Sequence, residues 1–154
     1  MYRNILVPID GSATATQGLR QAAELAARLG SRIRLLHVLN QTPWIEPSFV
    51  PTAGADLFAQ LRRAGESMLA RAREEVAATQ VEVEDRLVKV LGERVGEAVV
   101  EEARRWPADL IVCGTHGRRG LSRLLLGSDA EHIVRLSPVP VLLVRTPEPS
   151  TVAA

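Results

Sequence analysis

Five short apolar runs punctuate this chain, and the stretches between them repeat at helical spacing. "NILVPI" (4–9) is continuous and ends at Asp10-Gly11. "IRLLHVL" (33–39) follows Gly30, "EDRLVKVL" (84–91) alternates with charge, "DLIVC" (109–113) is almost wholly apolar, and "VPVLLV" (139–144) comes last. Continuous runs of this length fit strands buried on both faces of a parallel sheet. Between them, 18–29 places Leu19, Ala22, Ala23 and Ala26 on one side. The segment 55–79 lines up Leu57, Leu61, Ala64, Met68, Ala72 and Val76. Residues 93–105 carry Val95, Ala98, Val99 and Ala103, and 129–136 carry Ala130, Ile133 and Val134. These stripes predict amphipathic helices.

The order is β-α-β-α-β-α-β-α-β, which predicts an α/β fold with an open, doubly wound, five-stranded parallel sheet. The charged third strand belongs at one edge. The first and fourth strands flank the point where strand order reverses, so the expected order is 3-2-1-4-5, a Rossmann-like arrangement. Residues 40–54, with Pro43, Pro47 and Pro51, read as a surface excursion. The tail 147–154 reads as disordered, leaving one domain over 1–146. Trp106-Pro107 closes the third helix, because the residue before proline leaves helical space.

Composition narrows the function. The chain has 154 residues, enough for one domain with its own core. Its net charge of +1 gives no global case for nucleic acid, and 3% aromatics leave little for base stacking. The single cysteine, Cys113, excludes an internal disulfide and suits a reducing cytoplasm. No run approaches the ~18 apolar residues of a membrane span, and the N-terminus lacks the features of a signal peptide. Cys113 ends a buried strand and reads as a core residue. His37 reads as a packed histidine, and three scattered histidines do not suggest a metal site.

The unusual chemistry lies at the ends of the first and fourth strands. In an open parallel sheet, ligands bind where these carboxyl ends meet. They carry "PIDGS" (8–12) and "GTHGRRGLSRLLLGS" (114–128). Gly114, Gly117 and Gly127 let backbone N–H groups approach a ligand. "SDAE" (128–131) reads as a capping box that starts a helix at Ser128. Loop amides beside a helix N-terminus form an anion site, with Arg118, Arg119 and Arg123 nearby. Asp10, across the crevice, suits ribose hydroxyls. Asp129 argues the other way if its charge faces the site. Glycines flank strands in every α/β protein and Ser128 can be a cap and no more, so a purely structural loop stays open. The P-loop and dinucleotide fingerprints are absent. "SATAT" (12–16) resembles the hydroxyl-rich loop of flavodoxins but lacks its glycine.

Together, "NILVPIDGS", "ADLIVCGTHGRRGLSRLLLGS" and "VPVLLVR" resemble the universal stress protein family over residues 2–146. The spacing G-x2-G-x9-G-[ST], met by Gly114, Gly117, Gly127 and Ser128, is the pattern of the family's ATP-binding branch. The resemblance implies that these four residues hold phosphates and that His116 lies near them. It implies Asp10 at the ribose and adenine side with Pro8 and Ile9 beside it, and the backbone of Val38, ending the second strand, against the adenine edge. ATP is the implied ligand, with AMP, ADP or a cyclic nucleotide as alternatives, and a magnesium or manganese ion bridging the phosphates. The family usually dimerises through the last strand; here "VPVLLV" would otherwise be an exposed apolar edge, and Pro140 suits an edge strand. The expectation is a cytoplasmic, homodimeric, nucleotide-binding stress regulator without nucleic-acid or membrane partners. A slow ATPase and a nucleotide-independent interaction module are the competing readings. Trp44 and the prolines of 40–54 depart from the family, as does "ERVGE" after the third strand.

Overall fold

The structure, a computed structural model, describes residues 2–41, 51–115 and 126–145, with 51–55 as backbone alone. The elements alternate: β1 (Asn4–Pro8), α1 (Ala13–Leu29), β2 (Arg32–Asn40), α2 (Pro51–Ala77), β3 (Val83–Val90), α3 (Val95–Arg105), β4 (Leu110–Gly114), α4 (Ser128–Leu136) and β5 (Val141–Val144). The five strands form one sheet in the order β3-β2-β1-β4-β5, every pair parallel. β1 sits at the centre, with Ile5 opposite Ile33 on one side and Leu110 on the other.

Strand alternation sends neighbouring residues to opposite faces, and each face has its own core. Ile5, Val7, Ile33, Leu35 and Val112 pack beneath α1 (Leu19, Ala22, Ala26) and α2 (Leu69, Ala72, Val76). Leu6, Leu36, Ile111 and Cys113 pack beneath α3 (Val99, Ala103) and Ile133 of α4. Burying each of the larger aliphatic side chains contributes about 1.5–3 kcal/mol before entropy is counted. β3 is the charged edge expected, with only Val90 of its eight residues buried.

Several element boundaries differ from those expected. α1 starts at Ala13, not Gly18. Ser12 is its N-cap and accepts from the Ala15 N–H at 3.1 Å. A good cap and the buried Thr14 and Ala15 outweigh the poor helix propensity of two threonines. The helix ends at Gly30, whose φ of 66° is the left-handed cap that glycine adopts freely. α2 begins at Pro51, inside the stretch expected to be irregular. Proline's fixed φ is ready-made for a first helical residue. The buried face of α2 takes Gly65 and Leu69, while Ala64 is exposed. Val134 of α4 is also exposed. β5 is shorter than expected and begins after Pro140, whose carbonyl accepts from Ile111 at 3.0 Å.

An ion network unseen in the sequence pins β2, β3 and α3 near the amino ends of the strands. Arg34 bonds Glu102 at 2.6 Å and Glu84 at 2.9 Å, and Trp106 donates its indole N–H to Glu84 at 2.6 Å. Trp106 is the C-cap of α3, the place expected for it, and Arg34 lies 4.7 Å from its ring centroid.

Candidate functional site

The carboxyl end of β1 is built by "PIDGS". Pro8 still pairs with Leu36. Ile9 is buried, and its N–H donates to the Leu36 carbonyl at 2.8 Å. Asp10 is half-buried, and its Oδ1 accepts from the Ser12 N–H at 2.9 Å, an Asx-type turn. Gly11 between them has φ 81°, which only glycine adopts without strain. Ser12 then caps α1, with its hydroxyl 3.2 Å from that of Thr14. One short segment therefore ends a strand, presents a carboxylate and starts a helix.

The carboxyl end of β4 lies alongside. Gly114 ends the strand, and Thr115 is buried, its N–H donating to the Val144 carbonyl at 3.0 Å. The described chain resumes just before Gly127, whose N–H donates to the Thr115 carbonyl at 2.8 Å. Gly114, Gly127 and Ser128 are thus brought to one place, and Asp10 stands at the end of the adjacent strand. His116 and Gly117, with Arg118, Arg119 and Arg123, lie outside the described residues, as do Trp44 and the tail.

The expected capping box at Ser128 is not formed. Gly127 is the N-cap of α4, and Ser128 is its first helical residue, with no side-chain cap bond. The cap position has moved back by one, onto a residue without a side chain. Glu131 instead lies 3.8 Å from Arg135. A bond of the capping-box type occurs at α3, where Glu97 accepts from the Arg94 N–H at 3.4 Å.

The shift of the cap sharpens the chemistry. The first N–H groups of a helix lack intrahelical partners and carry partial positive charge. At most N-termini a Ser, Thr, Asp or Asn cap covers one of them. The glycine cap of α4 has no side chain to do so, which leaves a bound anion as a fitting partner. Asp129 and Glu131 are exposed in the first turn and oppose this charge only weakly through water.

Val38 is not the end of β2, which runs on to Asn40. Peptide groups alternate sides along a strand. Ile33 donates toward β3, and Leu36 accepts from β1. By that alternation, the N–H and C=O of Val38 face the β1 side, beyond the point where β1 ends. Ser12, Thr14 and Thr115 are given no role by the sequence, although the hydroxyl run "SATAT" beside a helical pattern is the available signal for the cap. Among the described residues no group of three His, Cys, Asp or Glu side chains could hold a metal. A groove of about 590 Å³ between β3 and α3, lined by Val88, Lys89, Glu97 and Glu101 among others, contains none of these residues.

The universal stress protein family profile matches residues 1–145, almost the whole chain. The chain belongs to the universal stress protein family. A universal stress protein of Thermus aquaticus is 36% identical over 146 residues, covering 94% of this chain and 100% of the relative. The crystal structure of a universal stress protein family member from Burkholderia pseudomallei is 34% identical with a TM-score of 0.75, covering 93% of this chain and 96% of that one. An Arabidopsis thaliana family member solved with AMP bound shares the fold at 18% identity and a TM-score of 0.68, covering 97% of each chain. Universal stress proteins have also been solved in complex with cAMP and with dAMP. No helix among the described residues is long and apolar enough to cross a membrane.

Proposed function

We propose that this universal stress protein binds an adenine nucleotide in the crevice between the carboxyl ends of β1 and β4, and acts as a nucleotide-responsive stress regulator. The observation that carries this reading is the glycine-capped N-terminus of α4, tied by the Gly127–Thr115 bond beside Gly114 and next to the strand that presents Asp10. The AMP, cAMP and dAMP bound to family members support this ligand class.

ATP is the ligand that uses the site most fully, with AMP and ADP as shorter alternatives. Gly114, Gly127 and Ser128, joined by Gly117 and His116, would take the phosphates. Asp10 would accept the ribose hydroxyls, Pro8 and Ile9 would flank them, and the Val38 peptide would meet the adenine edge. A magnesium or manganese ion would be held chiefly by the phosphates, since the described residues supply no acidic cluster. The role is one of holding a nucleotide and reporting it. β5 stands at the free edge of the sheet with Leu142 41% exposed, which favours a homodimer joined there. The free, buried Cys113 suits the cytoplasm.

Calorimetric titration of ATP with magnesium into the wild type and Gly127→Val tests the site. Gly127 has φ −61° and ψ 147°, open to any residue. The backbone there accepts a valine, so the variant should keep the fold. A valine side chain beside the α4 amides should weaken ATP at least about tenfold. Equal affinity in both proteins would remove the phosphates from this place.

A further inference from the structure

His37 is buried in β2, 8% exposed, and has no part in the nucleotide reading so far. Its Nδ1 lies 2.7 Å from the carbonyl oxygen of Ile9. A carbonyl oxygen can only accept, so Nδ1 carries the proton and donates. The residue before it holds the other half of the same unit: the Ile9 N–H donates to Leu36 at 2.8 Å. Two consecutive residues of β2 therefore clamp both backbone groups of Ile9, just after β1 ends at Pro8. The next residue is Asp10.

The ring is fixed from above by α2. A methyl group on Gly65 would lie 2.6 Å from His37 Cδ2, 3.1 Å from its Nε2 and 3.0 Å from a methyl of Leu87. Glycine inside a helix is less favourable than alanine, so its use within this 27-residue helix has a packing reason. The imidazole fills the space that a side chain would take.

We propose that His37 is a positioning residue for the nucleotide site. Its Nδ1–H holds the Ile9 carbonyl and so sets the direction in which Asp10 leaves the sheet. The inference rests on the nucleotide reading above for its consequence, and on the clamp alone for its geometry. His37 touches no ligand and acts through the Ile9–Asp10 peptide. Removing the donor leaves a buried carbonyl without this partner, and the backbone shifts to find another. A histidine that merely packs makes the opposite demand: bulk matters and the N–H does not.

His37→Leu keeps bulk and loses the donor, whereas His37→Asn loses bulk but offers an amide N–H near the position of Nδ1. Gly65→Ala leaves His37 in place and displaces its ring. The full-length proteins are compared by calorimetric titration with ATP and magnesium, and by amide hydrogen exchange at Ile9 and Ser12 without nucleotide. His37→Leu and Gly65→Ala should weaken ATP about tenfold or more and speed exchange at both amides. His37→Asn should recover most of the affinity and the protection. Wild-type affinity and exchange in His37→Leu, or a weaker site in His37→Asn than in His37→Leu, overturns the proposal. Should the wild type bind no ATP, the nucleotide reading fails, and exchange alone then decides the clamp by the same two comparisons. Should His37→Leu not fold, Gly65→Ala against His37→Asn gives the same contrast.

Discussion

Thr14 occupies the space that a side chain on Gly114 would need. A methyl group built on Gly114 lies 2.7 Å from the carbonyl carbon and hydroxyl oxygen of Thr14 and 2.8 Å from its Cβ. The first turn of α1 therefore rests directly on the end of β4. This contact brings the Asp10–Ser12 turn beside the point where the β4 chain leaves the sheet. Gly114 shapes the site through helix placement as well as through any ligand it admits.

Gly114→Ala should be destabilising by about 1–3 kcal/mol, because the contact is with backbone and a buried side chain that cannot swing away. Gly18 provides the control. Its added methyl would meet the same strand end at 3.6 Å or more, an ordinary contact. Gly18→Ala should be neutral or stabilising by up to about 1 kcal/mol, since Gly18 lies within α1. Thermal denaturation of both variants tests this, and equal melting temperatures would contradict it.

The carboxylates around Arg34 should differ sharply in worth. Glu102 is 3% exposed and bonds Arg34, itself 15% exposed, at 2.6 Å. Glu102→Ala leaves a largely buried guanidinium short of a partner and should cost about 3 kcal/mol, a fall in Tm on the order of 10 °C. Glu84 is 45% exposed. Glu84→Gln should therefore cost under about 1 kcal/mol at neutral pH. Urea denaturation of the two variants measures both, and equal losses would contradict the ranking.

The pH dependence at Glu84 has a definite sign. Burial pushes its carboxyl up, but the hydrogen bond and charge of Arg34, with Trp106 and Arg32, outweigh this and hold it below the ordinary value of 4.5. A depressed folded pKa gives stability that is present above 4.5 and lost as pH falls through the folded value. The gap between wild type and Glu84→Gln in urea denaturation should therefore shrink below pH 4.5; a widening gap would contradict the pairing.

Cys113 should be silent until the protein unfolds. It is 4% exposed, and burial pushes its thiol up from 9.0 to about 12. A thiol reagent at about pH 8 should label the unfolded chain and spare the folded one. The raised pKa also means stability that is full below 9.0 and lost as pH rises toward 12. Cys113→Ala should lose less stability than the wild type over that range.

Leu142 should be central to self-association. It is exposed on β5, the sheet's free edge opposite β3. Leu142→Lys introduces a charge of the kind that blocks edge pairing. Light scattering after size exclusion should show a dimer for the wild type and a monomer for the variant. An unchanged mass would place any interface elsewhere.

The sheet is legible in the sequence because its strands are apolar on both faces and its helices carry regular stripes. Leu6 and Val7 point to opposite cores, yet both are apolar, so "NILVPI" reads as a central strand. The helix starts are less legible. Ser12 and Ser128 look alike in sequence, each a hydroxyl after a glycine with an alanine within two residues, yet one caps and the other follows a glycine cap. That difference comes with the Gly127–Thr115 bond, which depends on a long-range approach. Gly65 adds nothing to a hydrophobic stripe, so Ala64 stands out in its place; the reason for the glycine is the His37 ring on another element. Nothing in the local sequence marks Glu102 as buried; its partner Arg34 lies on another element.

The proposed adenine nucleotide in the crevice between β1 and β4 can be sought directly. The most direct measurement is denaturation of freshly purified protein, with mass spectrometry of whatever small molecules are released, alongside a thermal shift with added ATP and magnesium. A released adenine nucleotide or a higher melting temperature with ATP is expected, with loss of both in Gly127→Val. A protein that releases no nucleotide and melts at the same temperature with and without millimolar ATP would contradict it.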